Sequence, residues 1–596
     1  MNFTRLFDII DFQQGKYPNK ESLNSFHGGK WQHFSTKDVR RKTDAISAWL
    51  LKQKFVKGDK IAIMPHIGRP DWMMIDFAAQ QLGGITVPLH PTAPVEDTVY
   101  ILEETKVKYC IVADEALFFK LKPIIEKDFP NIALYHIISG RENYFPALKN
   151  SKIKEENRTA IDTIKKSIAP EDTAVIMYTS GTSGRPKGVV LTHKNIVSNV
   201  ISALALLPIG CHRKTLSFLP FSHIFERTVC YTYMAAGISI FFAQDREHLG
   251  QDFKDVKPCL FTTVPRILEK MYDLIRERAY SENFLIKKLI FWSIRVGKQY
   301  PAQRKFMPLY GLKHIVARLL VLNRWKRNLG GQVRYIIVGA ATLQPSIARL
   351  FEATGIRIRE GYGMTEASPF ITTNRFEPGL NKIGTVGIPI PGVEVRIDNP
   401  DEEGNGEIQV KGPNIMQEYF KEPKLTKESF TADGWFKTGD VGHFEDKRFL
   451  KITGRKKHIF KTSAGKYIAP HQLQNHFTSS SYIQQCLVIG FQRPYVTALI
   501  VPNYSLLEKW CKDKKIHWTS PQFMAHNIKV IDKIQSEIDL LNQRLSNFQR
   551  IKKFTLCHRE WTIEDGLYSA SYKPIRHRLM AIFDKEIKKM YEEATG

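Results

Sequence analysis

The chain has 596 residues, 43% of them apolar, and its 87 Lys and Arg against 60 Asp and Glu give a formal charge of +27. That length is more than one hydrophobic core can serve, so two or three domains are expected. Seven cysteines, Cys110, Cys211, Cys230, Cys259, Cys486, Cys511 and Cys557, form no C-x-x-C pair and no rhythm with histidine, which argues against a disulfide framework or a zinc site and suits a reducing cytoplasm.

The first residues, MNFTRLFDIIDFQQG, place Asp8 and Asp11 where a signal peptide needs an apolar core, so a cleaved secretory signal is not expected. From there to about residue 270, short apolar or β-branched runs alternate with longer amphipathic stretches, as in DKIAIMPHI, then WMMIDFAAQQLGG, then VKYCIVAD. That rhythm predicts β-α units around a mostly parallel sheet covered on both faces. LSFLPFSH, ISIFFAQD, CLFTTVP and RYIIVGAATL form a second such series. The longest nearly uninterrupted apolar run, residues 230–243, has 14 residues. A membrane-spanning helix needs roughly 20, so no transmembrane anchor is expected. After Gly379, VEVRIDNPDEEGNGEIQVKG reads as short strands and turns of a small β-rich subdomain. Beyond Tyr482, LVIGF and TALIVP read as strands, and residues 530–553 as one long amphipathic helix, together a separate C-terminal domain.

Charge is unevenly spread. Residues 284–329 hold 11 Lys or Arg and no Asp or Glu, interleaved with Phe291, Trp292, Tyr300, Phe306, Tyr310 and Trp325. Such a segment suits an anionic membrane surface, where each cation contributes about 1 kcal/mol. The plainer reading is a solvated helical insertion with its aromatics turned to the core. Nucleic acid is not expected, because no nucleic-acid motif accompanies the charge.

The sharpest signal is YTSGTSGRPKG, residues 178–188, between the strand-like TAVIM and VVLTHKNI. Its glycines let the backbone turn and present N–H groups to phosphate oxygens, its hydroxyls add donors, and Lys187 adds charge. It is not a Walker A loop, since Lys187 is followed by Gly188 rather than Ser or Thr. The whole string resembles the signature loop of the adenylate-forming superfamily, which includes acyl-CoA synthetases, luciferases and peptide-synthetase adenylation domains. The resemblance implies that Thr179, Ser180, Gly181, Thr182, Ser183 and Lys187 hold ATP phosphates, with Thr182 also beside Mg2+.

The resemblance continues in order along nearly the whole chain. LPFSHIFER, residues 219–227, is similar to the family's second core motif and implies that His223 stands at the mouth of the acyl pocket. RYIIVGAATL implies that Gly339, Ala340 and Ala341 line the adenine and acyl sites. EGYGMTEASP, residues 360–369, implies Gly361, Tyr362 and Gly363 at the adenine, Thr365 near the α-phosphate and Glu366 on Mg2+; an aromatic face suits a base and a carboxylate suits a hard cation. GWFKTGDVG implies that Asp440 binds the ribose hydroxyls, and ITGRKKHIFKTSAGKYIAP puts Arg455 near the ribose, Lys457 at an interdomain hinge and Lys461 in a second conformation. SASYKPIRHRL makes Lys573 the adenylation lysine, although Ser569, Ala570 and Ser571 depart from the family's Thr-Pro-Thr and Pro574 stiffens the backbone directly after the lysine.

What the resemblance implies overall is an α/β protein. Residues 1–456 would form a large N-terminal adenylation domain, two parallel-type α/β subdomains plus a β-rich subdomain at about 380–456. Residues 457–596 would form a small mobile α+β domain. The implied reaction joins a fatty acid to ATP, giving acyl-AMP and pyrophosphate, and then to coenzyme A. FSHIFER, TTVPRILEKMYD and the insertion before LGGQVRYIIVGAATL are more similar to long-chain fatty-acyl-CoA synthetases than to acetate, aryl or amino-acid activators. A ligase that stops at acyl-AMP or loads a carrier protein, and a non-catalytic fatty-acid-binding relative, are the alternatives. The expected location is the cytoplasm, with peripheral contact at the inner face of a membrane.

Overall fold

The structure, a computed structural model, describes residues 3–592 apart from 67–68, 150–152, 180–184, 302–307, 457–459, 462–466, 563–564 and 569–573. By contacts the chain divides into two compact units. The first comprises Met1–Arg396, Gln409–Lys437 and Glu445–Leu450, and the second Ile397–Ile408, Thr438–Phe444 and Lys451–Gly596.

The first unit is built on two large sheets. One has seven strands, in spatial order Glu418–Tyr419, Lys187–Thr192, Thr173–Thr179, Ile85–Pro88, Lys60–Met64, Tyr109–Val112 and Ala133–His136. The strands from Ile85–Pro88 outward pair in parallel, while Thr173–Thr179 and Lys187–Thr192 form an antiparallel hairpin. Tyr109–Val112 is buried at every position, as expected of a strand covered on both faces. The other sheet has nine strands, with Lys214–Ser217, Ser239–Phe242, Leu260–Thr263, Tyr335–Val338 and Arg357–Gly363 at its parallel centre. The alternation of apolar runs and amphipathic stretches thus becomes two α/β layers, as the sequence implied.

The helix Asp71–Gln80 is buried at every position after Asp71, so the Asp76 carboxylate within it must be paired. Asp76 accepts from Arg227 Nη1 at 2.7 Å, from Thr86 Oγ1 at 2.7 Å and from the Tyr231 hydroxyl. Arg227 is itself fully buried and lies 4.6 Å from the Phe221 ring. The apolar run 230–243 is divided: the helix Ile224–Ala235 ends it on one side, Gly237 turns at φ +70°, and Ser239–Phe242 enters the sheet. Among the described residues no helix is long and apolar enough to cross a membrane.

The β-rich stretch after Gly379 contains a four-stranded sheet of Glu394–Asp398, Gly406–Lys411, Phe436–Glu445 and Phe449–Arg455. In the second unit, Ile483–Ile489 and Val496–Pro502 pair antiparallel, and Ile551–Leu556 joins the latter in parallel. This corrects the single helix expected over 530–553. The helix runs Ile528–Asn542 and stops there. Asn542 then grips the returning chain, donating from Nδ2 to Ile551 O at 3.0 Å and accepting from Ile551 N at 3.1 Å, so that IKKFTL becomes a strand.

Candidate active site

The signature hairpin places its two ends side by side: Thr179 pairs with Lys187 across the antiparallel register. Loop residues Ser180, Gly181, Thr182 and Ser183 lie outside the described residues. Tyr178, at the hairpin base, donates its hydroxyl to Glu104. Gly188 is closely packed, since a Cβ there would stand 3.0 Å from both Phe420 Cβ and the Tyr178 ring. On the far side the strand ends in a capping box: Thr192 Oγ1 accepts from Asn195 N at 3.1 Å, and Asn195 Oδ1 accepts from Thr192 N at 2.9 Å.

The short strand Glu418–Tyr419 lies against Lys187–Thr192 and brings a tyrosine to the signature lysine. Lys187 Nζ sits 5.9 Å from the Tyr419 ring centroid, and the Tyr419 hydroxyl donates to Glu366 Oε1 at 2.8 Å. A cation and a buried carboxylate from two distant motifs are therefore bridged by one tyrosine. The turn Thr365–Ala367 that carries Glu366 is held by two buried amides. Asn199 Nδ2 donates to Phe370 O at 2.9 Å, and Asn414 Nδ2 donates to Ala367 O at 2.9 Å.

Ahead of that turn, the strand Arg357–Gly363 ends in GYG. Tyr362 is largely buried, opposite Thr372, and the register shifts between Tyr362 and Gly363. Gly361 has backbone 3.3 Å from where a Cβ would stand. Gly363 allows no side chain, since a Cβ would fall 1.8 Å from Pro369 O. Glu360, on the preceding position, is buried and accepts from Leu343 N at 3.3 Å; burial pushes its carboxyl up to about 7.

Two motifs, and the residue that follows a third, meet around one ring. Phe225, from LPFSHIFER, packs so closely on Gly339 that a Cβ there would come 3.0 Å from the ring, and it meets Phe370 edge-on with centroids 5.7 Å apart. The space that Gly339 leaves is thus filled by Phe225, while Ala340, at φ +69°, and Ala341 are exposed in the turn beyond. Beside this junction lies an apolar pocket, lined among others by Ala203, Leu206, Val229, Tyr233, Ile337 and Phe370. His223 is the exposed N-cap of the helix Ile224–Ala235, its Nδ1 accepting from Phe225 N at 3.3 Å.

In the second unit, Asp440 is mostly buried and accepts from Arg455 Nε at 2.9 Å. Its own N–H donates to Thr438 Oγ1 at 3.1 Å, and Gly439 between them turns at φ +70°, a backbone region that favours glycine. Two residues assigned to the ribose by resemblance are therefore in direct contact. Lys461 lies in the short strand Phe460–Lys461, paired with Tyr467–Ile468. Lys457 and Lys573 lie outside the described residues.

Known proteins resemble this chain over nearly its full length. The profile described as AMP-binding enzyme matches residues 10–420, and that described as AMP-binding enzyme C-terminal domain matches residues 458–595. The chain belongs to the AMP-binding enzyme family. Among curated relatives of this AMP-binding enzyme, long chain acyl-CoA synthetase 7, peroxisomal, of Arabidopsis thaliana is 30% identical over 99% of this chain and 86% of its own length. Human long-chain-fatty-acid–CoA ligase 1 is 30% identical, covering 94% and 82%, and ligase FadD15 of Mycobacterium bovis is 28% identical, covering 95% and 93%. Among solved structures, the adenylation domain of a Mycobacterium chelonae carboxylate reductase superposes with a TM-score of 0.75 at 20% identity, covering 98% of this chain and 91% of its own. ATP-bound MatB of Rhodopseudomonas palustris gives 0.69 at 20%, covering 97% and 99%. At that identity these two show the fold.

Several residues of this AMP-binding enzyme that shape the site carry no signal in the sequence. Tyr419, Asn199 and Asn414 act through neighbours far away in the chain and no local string marks them, while Phe225 lies within LPFSHIFER but its packing on Gly339 is not written there. Asn195 was legible in principle, because T-x-x-N before an apolar helix is an N-cap pattern.

Proposed function

We propose that this AMP-binding enzyme activates a long-chain fatty acid with ATP to acyl-AMP and pyrophosphate, and then transfers the acyl group to coenzyme A. The observation that carries the reading is the likeness, over nearly the full chain, to long-chain fatty acid ligases of a plant, a mammal and a bacterium. The apolar pocket beside Phe370 supports it, since each buried methylene of an acyl chain gains about 0.8 kcal/mol.

A carboxylate is a poor acyl donor until its oxygen is made a good leaving group, so activation precedes the thioester. In this reading Lys187 and Lys573 face the phosphate and carboxylate oxygens as charge shifts from the attacking acid to the departing pyrophosphate. The loop residues Thr179, Ser180, Gly181, Thr182 and Ser183 orient the phosphates. Tyr362, with Gly361, Gly363, Ala340 and Ala341, shapes the adenine site, Thr365 the α-phosphate site, and Asp440 with Arg455 the ribose site. His223 borders the entry of the acyl group. No protein nucleophile is required.

Mg2+ fits the residues present. Glu366 is a buried carboxylate already aligned by the Tyr419 hydroxyl, and among the described residues there is no cluster of three acids that would make a protein-only cage. Glu366 and Thr182 would hold the ion together with nucleotide phosphates, the usual manner for this cation. When bound, the ion would neutralise phosphate charge. The enzyme is read as cytoplasmic, in peripheral contact with an anionic membrane from which its substrate comes.

The test is to incubate the protein with ATP, Mg2+, CoA and acids from acetate to oleate, measuring AMP and thioester by mass spectrometry. AMP and acyl-CoA appearing together for long chains is the expected result. Acyl-AMP without thioester would assign another acceptor, and neither product would overturn the reading.

A further inference from the structure

The sequence set apart a basic segment at 284–329 and left open whether it meets an anionic membrane surface or is a solvated insertion with its aromatics turned to the core. The structure turns many of them outward. Of the eighteen large apolar side chains that are exposed among the described residues, nine fall in that segment. They concentrate on the helix Pro308–Ala317, which continues through Arg318–Leu322 into Asn323–Asn328. Leu309, Leu312, Val316 and Leu319, at helical spacing i, i+3, i+7 and i+10, are 79%, 65%, 38% and 66% exposed. This is one continuous aliphatic stripe facing water.

The opposite side of the same helix fixes its orientation. Tyr310 donates its hydroxyl to Val296 O at 2.9 Å, His314 Nε2 lies 2.8 Å from Ala353 O, and Ala317 is fully buried. The helix is thus seated by its polar and small residues, while its leucines have no part in the seating. At the start of the helix Phe284–Lys298 packed beside it, Phe284 and Leu285 are also exposed, and Lys288 Nζ stands 4.7 Å from the Phe284 ring. Lys313 is exposed on the stripe's own helix.

We propose that this helix face docks in the plane of a bilayer carrying anionic head groups, its leucines entering the acyl boundary and its cations pairing with phosphates. Apolar residues facing water on a segment whose own charged residues are all Lys or Arg are what such a surface complements. A second copy of this chain is disfavoured as occupant, because it would set the segment's nine described cations against another nine with no acid of the segment between them. Nucleic acid would use the cations and leave the leucines unexplained. The helix cannot cross the bilayer, since Lys313, Arg318, Arg324, Lys326 and Arg327 interrupt it. The proposal rests on the fatty-acid reading for its purpose: the docked face would bring the enzyme to where its substrate resides.

The experiment is cosedimentation of the full chain with vesicles of phosphatidylcholine alone and of phosphatidylcholine with phosphatidylglycerol. At near-physiological salt, binding to the anionic vesicles is expected to exceed that to neutral ones by roughly tenfold and to weaken as salt rises. Leu312→Ser with Leu319→Ser is expected to lose most of that binding while AMP release with a water-soluble medium-chain acid stays at the parent level. Lys287→Glu with Lys313→Glu is expected to lose the preference for anionic lipid. Wild-type protein remaining in the supernatant with both vesicles would overturn the proposal. So would serine variants that bind like the parent, or sedimentation velocity showing self-association that the serine variants abolish. Vesicle binding needs no turnover, so a chain that binds but releases no AMP would refute the fatty-acid ligase reading and leave the docking face standing.

Discussion

Glu226 shows what a single buried group does to stability. Its carboxyl lies on the fully buried face of the helix Ile224–Ala235, accepting from Ser217 and, at 3.2 Å, from Thr262, and burial pushes it up to about 7. A raised carboxyl holds its proton in the fold after the unfolded chain has released it. Its contribution is therefore fully present below the ordinary value of 4.5 and lost as pH rises through 7. Glu226→Gln is expected to stabilise the protein by ~1–3 kcal/mol at pH 8 and by little at pH 4, measured as urea midpoints at the two values. His90 acts in the opposite sense: burial lowers it to about 4, helped by the charges of His223, Arg246 and His66, so stability falls as pH drops from 6.5 toward 4. Tyr419 carries a test of the site. Removing its hydroxyl with Tyr419→Phe deprives a buried carboxylate of a charge-assisted hydrogen bond of about 1.5–3 kcal/mol, and the Mg2+ concentration for half-maximal AMP release is expected to rise roughly tenfold.

Elements are joined by contacts that no single residue explains. The helices Asp71–Gln80 and Ile224–Ala235 meet through Asp76 and Arg227, both fully buried. A buried pair is weak evidence of net stability, but removing one partner strands the other's charge away from water. Asp76→Ala is expected to cost about 3–5 kcal/mol, read as a lower denaturation midpoint. The turn at Gly363 is a different kind of joint. Because a Cβ there would overlap Pro369 O, Gly363→Ala must displace the segment that carries Glu366, and AMP release should fall by at least about tenfold, the loss that a small misplacement of reacting groups produces.

At the scale of the whole molecule the enzyme must run two reactions with one set of substrates. The resemblance gives Lys573 to adenylation and Lys461 to a second conformation, which we propose is the one that forms the thioester, and these roles separate the two reactions. Lys573→Ala is expected to lower acyl-AMP formation by roughly 10²–10³-fold, the loss typical when one oxyanion-stabilising donor is removed, while still converting supplied acyl-AMP and CoA to thioester. Lys461→Ala is expected to do the reverse. Single-turnover assays of each half-reaction measure both, and equal losses in the two would remove the division of labour.

How much of this could be read from the letters depends on the range of the interaction. Backbone chemistry is local: TAVIM, the glycines of the signature string and the alternation of DKIAIMPHI with WMMIDFAAQQLGG specify strand, turn and helix from neighbours alone. The two α/β layers, and the motifs that identify an AMP-binding enzyme, were therefore legible. The end of the helix at Asn542 was not, because the continuing apolar periodicity of IKKFTL is shared by helix and strand, and pairing with Val496–Pro502 decided between them. Nor could the letters show that Tyr419 would span Lys187 and Glu366, or that Phe225 would occupy the room beside Gly339. Those contacts join residues far apart in sequence, and packing alone brings them together. The leucines of the helix Pro308–Ala317 make the same point outward: hydrophobicity is a property of the residue, but whether it faces core or water belongs to the fold.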